Sequence, residues 1–325
     1  MIIARTPFRI SFFGGGTDFP EYYTQQGGAA LLTTIDQYCY VSLHRLSPFF
    51  KHRFRASYAR TESVLKPEEF QHPLVRECLL HLGVQEGVEI SHVADLPGRT
   101  GLGTSSSFTV GLLNALHTWR GERVTAEDLA REAIQVERVR VGDAGGHQDQ
   151  YAAAYGGFLR LDFSAGPRTA VRRLALPAAR LLELERCLLL FYTGIEQSAE
   201  EILTHQRQRT TENQPHLCQM RQMVDEAERI LVEGDDIHRF GQLLHQTWVL
   251  KRQLAKGISN NMVDDAYEAA RKHGALGGKL LGAGGRGFLL LFAPVERQAT
   301  LCKALTTLQN VPFHFSAGGS EIIYR

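Results

Sequence analysis

The sequence predicts an α+β protein built as two domains, and three observations lead there. The chain has 325 residues, and single domains run to roughly 100–200 residues. Its first half alternates short β-like runs with amphipathic stretches. Its second half gathers several helices in succession and then closes on a β-α-β pattern, as when strands and helices segregate. The 43% hydrophobic content supplies two sizeable cores and excludes a disordered or fibrous chain.

Ile2–Phe13 and Ala29–Leu46 read as strands, the second with Cys39, Val41 and Leu43 on one face. Val88–Val93 reads as another. Phe108, Leu112, Leu116 and Trp119 recur at spacings of three and four, which predicts a helix over Ser105–Trp119. The next helix starts from a Thr125 N-cap, with Asp128 as the acid of a capping box, and runs to about Arg138. Pro177–Glu185, after a turn region at Phe163–Arg168, marks the boundary between a domain over 1–180 and one over 181–325. Beyond it come a strand at Cys187–Thr193 and helices at Ser198–Thr210, Leu217–Glu233, Ile237–Ala255 and Met262–His273. Strands at Ala275–Leu281 and Phe288–Ala293, a helix at Val295–Leu308, and strands at Val311–Ser316 and Glu321–Tyr324 complete the chain.

Composition excludes several classes of function. Lys+Arg 36 against Asp+Glu 35 leaves a formal charge of +1, too little to gather nucleic acid or an anionic membrane. The longest apolar runs, Cys187–Tyr192 and Phe288–Pro294, fall far short of the ~18 residues of a membrane helix. Five cysteines, odd in number and without a C-x-x-C pair, argue against a disulfide framework or a zinc site. With no signal-peptide pattern in MIIARTPFRI, a cytoplasmic protein is expected. Glycine is the unusual residue: 31 are present, about 9.5% against a typical ~7%.

The glycines lead to the chemistry. Pro97-Gly-Arg-Thr-Gly101-Leu102-Gly103-Thr104-Ser105-Ser106-Ser107 lies between a strand and a helix start. There glycines allow close backbone approach, and outward amides with the helix dipole favour an anion, so the segment reads as a phosphate cradle. It is no Walker A loop, for it holds no lysine. Lys279, the nearest match, comes one residue early and lacks the following hydroxyl. Gly282-Ala-Gly284-Gly285-Arg286-Gly287 has the G-x-G-x-x-G spelling but precedes a strand, whereas a dinucleotide fingerprint opens a helix. It reads as a glycine turn between strands, either a plain tight hairpin or one packed against a ligand.

Two more segments complete a set: Pro7-Phe8-Arg9-Ile10-Ser11-Phe12-Phe13-Gly14-Gly15-Gly16-Thr17-Asp18, and Glu137 followed by Gly142-Asp143-Ala144-Gly145-Gly146-His147-Gln148-Asp149-Gln150. In this order and spacing the four segments, the last running from Lys279 to Gly287, resemble the GHMP kinases, across essentially the whole chain. Within that superfamily, Arg9–Asp18 and the phrase around Asp149 are most similar to the D-glycero-D-manno-heptose 7-phosphate kinases. The resemblance implies an N-terminal domain like the second domain of ribosomal protein S5, a ferredoxin-like C-terminal domain, and an active site between them. It implies an ATP- and Mg²⁺-dependent sugar kinase acting on an anomeric hydroxyl, with small-molecule partners, no nucleic acid and no membrane. A homodimer stays open.

Residue roles follow from the same resemblance. Asp149 takes the place of the base or orienter of the substrate hydroxyl. Arg9, on an otherwise apolar strand, is the cation beside it. Gly101 to Ser107 bind the ATP phosphates, and Ser105 with Glu137 hold Mg²⁺. Gly15, Gly16, Thr17, Asp18, His147, Gly284 and Gly285 meet the sugar. Plainer readings stand beside these: Asp149 as a helix cap, Glu137 as a solvated helix face, Asp18 as a turn former, Arg286 as a solvent residue. For a second phosphate on the sugar, the basic run Arg45, Lys51, Arg53 and Arg55 is a candidate. Fucose or an unphosphorylated heptose is the alternative acceptor, a sugar-sensing pseudokinase the alternative class.

Overall fold

In the computed structural model, which describes residues 1–166, 168–194 and 199–325, thirteen strands and eleven α-helices are ordered along the chain. The strands are β1 (Ile2–Phe13), β2 (Gly28–Arg45), β3 (Phe54–Ser57), β4 (Thr61–Val64), β5 (Val88–Ala94), β6 (Phe158–Phe163), β7 (Ala170–Arg173), β8 (Leu188–Tyr192), β9 (Gly277–Leu280), β10 (Phe288–Phe292), β11 (Gln309–Asn310), β12 (Phe315–Ser316) and β13 (Glu321–Tyr324). The helices are α1 (Pro20–Gln26), α2 (Pro73–His81), α3 (Thr104–Trp119), α4 (Ala126–Ile134), α5 (Gln148–Tyr155), α6 (Ala178–Arg186), α7 (Ala199–Gln208), α8 (Gln214–Val232), α9 (His238–Leu254), α10 (Asn261–Lys272) and α11 (Val295–Ala304). Ser198, the expected start of one helix, and Pro167, within the expected turn region, lie outside the described residues.

The long β2 organises the larger sheet. It pairs with β1 along most of its length, with β6 near its start, with β12 in the middle and with β5 near its end. β3 joins β5 in parallel and β4 closes that side. The smaller sheet, β11-β8-β10-β9, is antiparallel throughout. α3 lies against β1 and β2 and is buried from Ser106 to His117, a helix apolar on nearly all sides. Phe12 and Phe13 of β1 meet the α9 ring of Phe240 edge-on at 5.4 and 5.0 Å, joining the two halves of the chain.

Three expectations change, the first at the boundary segment Pro177–Glu185, which is largely helix α6 with Leu184 buried. The sequence places the last strands in the second unit, but β12 pairs with β2 and β13 with β1, so the chain returns to the first sheet. The reason is the free edge of β1: β2 covers one side only, and an open strand edge needs a partner. The helix from Thr125 does carry both arms of its capping box, yet it ends at Ile134 and widens into a π-turn over Gln135–Arg140. Such an inserted residue redirects side chains and is frequent at functional sites. Here the turn carries Glu137 inward, to 1% exposure.

Candidate active site

Arg9 sits on β1 at 5% exposure. Its Nε donates to Asp149 Oδ1 at 2.8 Å and its Nη2 to Oδ2 at 2.7 Å, a two-pronged pairing that fixes both planes. Nη1 donates to the Gly101 carbonyl, and the Arg9 amide donates to Leu102 O at 3.0 Å. One side chain thus ties the expected base to the expected phosphate loop. Asp149 is not the helix cap, since α5 begins at Gln148 with His147 in the cap position.

Three consecutive residues in the first turn of α5 reach three different partners. Successive helical side chains diverge by about 100°, so they fan outward. Gln148 donates to Asp18 Oδ2 at 3.0 Å and accepts from Ser11 at 2.6 Å. Asp149 meets Arg9. Gln150 donates to Glu137 Oε2 at 2.5 Å. Sequence pattern alone marks neither glutamine; their place either side of Asp149 is the available signal.

Glu137 is therefore no solvated residue. Oε2 accepts from Gln150 and from the Ser106 hydroxyl at 2.9 Å, with Arg138 Nη2 at 3.4 Å. Oε1 has no hydrogen-bond partner among the described residues; the hydroxyl of nearby Thr109 goes to the Ser105 carbonyl at 3.1 Å. Burial pushes the Glu137 carboxyl up, opposed by Arg138. A bare buried oxygen costs about 1–3 kcal/mol, and a cation would relieve it. This donor set suits Mg²⁺, which takes one or two protein oxygens and completes its shell with phosphates and water. Ser105, expected beside Glu137, has an exposed side chain, and Ser106 makes that contact instead.

The phosphate loop and the third glycine segment touch backbone to backbone. A Cβ on Gly101 would stand 2.5 Å from Leu281 O, and one on Gly282 would stand 2.4 Å from Gly101 Cα. Gly101 and Gly103 have φ of +85° and +72°, with Gly103 capping α3. The β9–β10 hairpin turn is thus wedged under the loop as well as being a tight turn. Within the loop, Thr104 Oγ1 accepts from Arg99 N at 3.2 Å, and Leu102 is fully buried and offers backbone only. Ser107 donates to Pro7 O at 2.8 Å, so its hydroxyl belongs to the fold and not to a phosphate.

The sugar-contact set also needs correction. Thr17 is buried, its hydroxyl donating to Gly14 O and Ala29 O at 2.8 Å, and the space beside Gly16 is filled by Gln206 and Leu217. Both serve packing. Gly15 remains half-buried beside Gln148. Asp18 is buried, and its Oδ1 accepts from Gly16 N at 2.9 Å, so the turn-forming reading holds along with the brace to Gln148. Burial, then neighbouring Asp149, pushes its carboxyl up. Half-buried His147 lies 3.1 Å from the Tyr23 hydroxyl and is pushed down to about 4 by burial and then Arg138, so it is neutral at pH 7. Gly284 and Gly285 pack on Ile258, while Arg286 is exposed.

The basic run lies elsewhere. Arg55 stands opposite Glu89, which pairs with His44, ten residues along β2 from Thr34, the partner of Arg9. At about 3.3 Å per residue that is on the order of 30 Å along the strand, too far for a sugar phosphate held at Arg9 to span. Among the described residues no helix is long and apolar enough to cross a membrane.

Comparison with known proteins identifies the family. The GHMP kinases N terminal domain matches residues 73–157 and the GHMP kinases C terminal domain matches 223–307, together just over half of the chain. D-glycero-alpha-D-manno-heptose 7-phosphate kinase of Campylobacter jejuni is 28% identical over 326 residues, covering 97% of this chain and 96% of that protein. Mevalonate kinase of Thermococcus gammatolerans is 28% identical over 80% of this chain and 75% of its own. The crystal structure of a D-glycero-D-manno-heptose 1-phosphate kinase from Bacteroides thetaiotaomicron superposes with a TM-score of 0.81, at 24% identity and with 100% of both chains covered, which shows a common fold. This chain belongs to the GHMP kinases, ATP-dependent phosphotransferases.

Proposed function

We propose that the chain transfers the γ-phosphoryl of ATP to the anomeric hydroxyl of D-glycero-D-manno-heptose 7-phosphate, giving the 1,7-bisphosphate on the way to nucleotide-activated heptose. The observation that carries the reaction type is the Arg9–Asp149 pairing tied to the Gly101 carbonyl, which sets an acid and a cation at the edge of the phosphate loop. Similarity to a heptose 7-phosphate kinase along nearly the whole chain supports the acceptor.

In this reading the amides at the start of α3 hold the ATP phosphates, with Gly101 and Gly103 permitting the approach. Asp149 orients the acceptor hydroxyl and takes its proton as the new O–P bond forms and the bond to the ADP oxygen breaks. Arg9 keeps the carboxylate in place and offers positive charge to the transferring phosphoryl. Mg²⁺, when bound, neutralises charge on the phosphates; Glu137 Oε1 would hold it, with Ser105 or Ser106 as the hydroxyl ligand. Asp18, through Gln148, keeps Asp149 aimed. Gly15, His147, Gly284 and Gly285 stay in the proposal as the acceptor's surroundings, and a cytoplasmic location fits free thiols at the five cysteines.

The test is a panel of acceptors offered with MgATP while ADP release is followed: heptose 7-phosphate, unphosphorylated heptose, fucose and mevalonate. Turnover strongest with heptose 7-phosphate is expected. Turnover confined to another member would overturn the acceptor and leave the kinase.

A further inference from the structure

Two lysines are buried behind the transfer site. Lys279, on β9, is 2% exposed, and its Nζ donates to the Phe12 carbonyl of β1 at 2.9 Å. Lys251, on α9, donates to Leu280 O at 2.8 Å and to Gly282 O, gripping the turn on which Gly101 rests. Among the described residues neither amine pairs with a carboxylate. A lysine taken out of water is costly unless an anion meets it. The charges that bear on Lys279 are Arg9 from β1, which opposes its proton, and Asp18 from the loop after β1, which favours it. Lys251 feels Lys279 and Arg9, both opposing, and lies 5.9 Å from the Trp248 ring centre. A cluster of cations therefore gathers at Arg9, and the two carboxylates near it are already engaged, Asp18 with Gly16 and Gln148 and Asp149 with Arg9 itself.

We propose that Lys251 and Lys279 are positioning residues whose counter-anion is the transferring phosphoryl of ATP, and that nucleotide binding draws a proton onto Lys279. The inference rests on the placement of that phosphoryl beside Arg9. In the free protein, burial and then Arg9 push the Lys279 ammonium down to about 7, so near neutral pH the amine is partly uncharged. An anion arriving next to Arg9 offsets the repulsion, the amine takes a proton from solvent, and the resulting ammonium, still held on Phe12 O, stiffens the tie between β9 and the strand that carries Arg9. The lysines act through β1 and the glycine turn, without touching the reacting atoms.

The experiment is calorimetry of MgATP binding without acceptor, in two buffers of different ionisation enthalpy. At about pH 8 the nucleotide phosphates are fully ionised, since phosphate monoesters titrate near pH ~6. The expected result is uptake of about 0.5–1 proton per nucleotide bound, fading toward zero near pH 6 where Lys279 is already charged. Lys279→Met, with its fold checked by circular dichroism, should lose the uptake and bind MgATP about tenfold more weakly. Binding without uptake at pH 8 in the wild-type protein would overturn the inference and leave the kinase reading intact. An uptake unchanged in Lys279→Met would do the same. Failure to bind MgATP at all would overturn both. Should the variant not fold, the wild-type pH series alone decides.

Discussion

Glu137 and Asp18 are both buried acids whose carboxyl is pushed up by burial before anything else, yet their surroundings are finished differently. Asp18 has donors on both oxygens: Gly16 N on Oδ1, and the backbone and side-chain amides of Gln148 on Oδ2. Among the described residues Glu137 has two hydrogen-bond donors on Oε2 and none on Oε1. Equal burial thus produces a brace in one place and a ligand site in the other. The difference lies in saturation: an acid with every oxygen engaged transmits position, whereas one with a bare oxygen gains by binding a cation.

The largest expected effect falls on the third acid, which belongs to neither class because among the described residues Arg9 alone holds it. Asp149→Asn keeps one oxygen for the fork but removes the proton acceptor, so kcat should fall by a factor on the order of 10²–10⁴ with MgATP binding retained. Steady-state turnover beside a nucleotide titration measures this, and a near wild-type kcat would remove Asp149 from the chemistry. Next comes Glu137→Gln, which should raise the Mg²⁺ concentration for half-maximal rate by about tenfold or more. An unchanged Mg²⁺ titration would break the comparison at its ligand-site end.

The same variant has a pH signature. Because the folded Glu137 carboxyl titrates above its ordinary value, the folded chain binds more protons than the unfolded one just above pH ~4.5, and stability contributed there is lost as pH rises. Melts in chelator should therefore show Glu137→Gln gaining on wild type from pH 5 to pH 7.5, with Mg²⁺ closing the gap. The smallest effect is expected for Asp18→Asn, where an amide would face the Gln148 donors: a loss of about 1–3 kcal/mol in denaturant unfolding with no change in the Mg²⁺ titration. A shift in Mg²⁺ demand like that of Glu137→Gln would erase the distinction between brace and ligand site.

Much of this was legible where local pattern carries the information. Strand Ile2–Phe13, the α3 helix and the Thr125–Asp128 capping box follow from periodicity and cap chemistry, and each stands within a residue of its expected place. Arg9 was marked by its charge on an apolar strand, and the structure brings it to Asp149, 140 residues away in sequence. Short elements escaped: α1, β3, β4 and β7 are four to seven residues long and too brief to show a period. The hydroxyl run from Thr104 to Ser107 could not be sorted in sequence, because a rotation of about 100° per residue decides which hydroxyl meets Glu137 and which meets Pro7. Lys279 was visible as a failed nucleotide motif and as the start of the last glycine segment, but its burial without a carboxylate partner is a tertiary property.

By itself, then, the sequence determined where the long strands β1 and β2 and the helices α3 and α8 to α10 form, which glycines gather in four segments, and which acids and cations stand in them, for these follow from side-chain type and spacing. Tertiary structure decided that β13 covers the free edge of β1, that Thr17 and Ser107 spend their hydroxyls on the fold, that one oxygen of Glu137 stays bare, and that two lysines face inward without an anion. The physical reason is range. Periodicity records which face of an element avoids water, whereas the partner of each buried polar atom is set by segments far apart in the chain that meet only when the core closes.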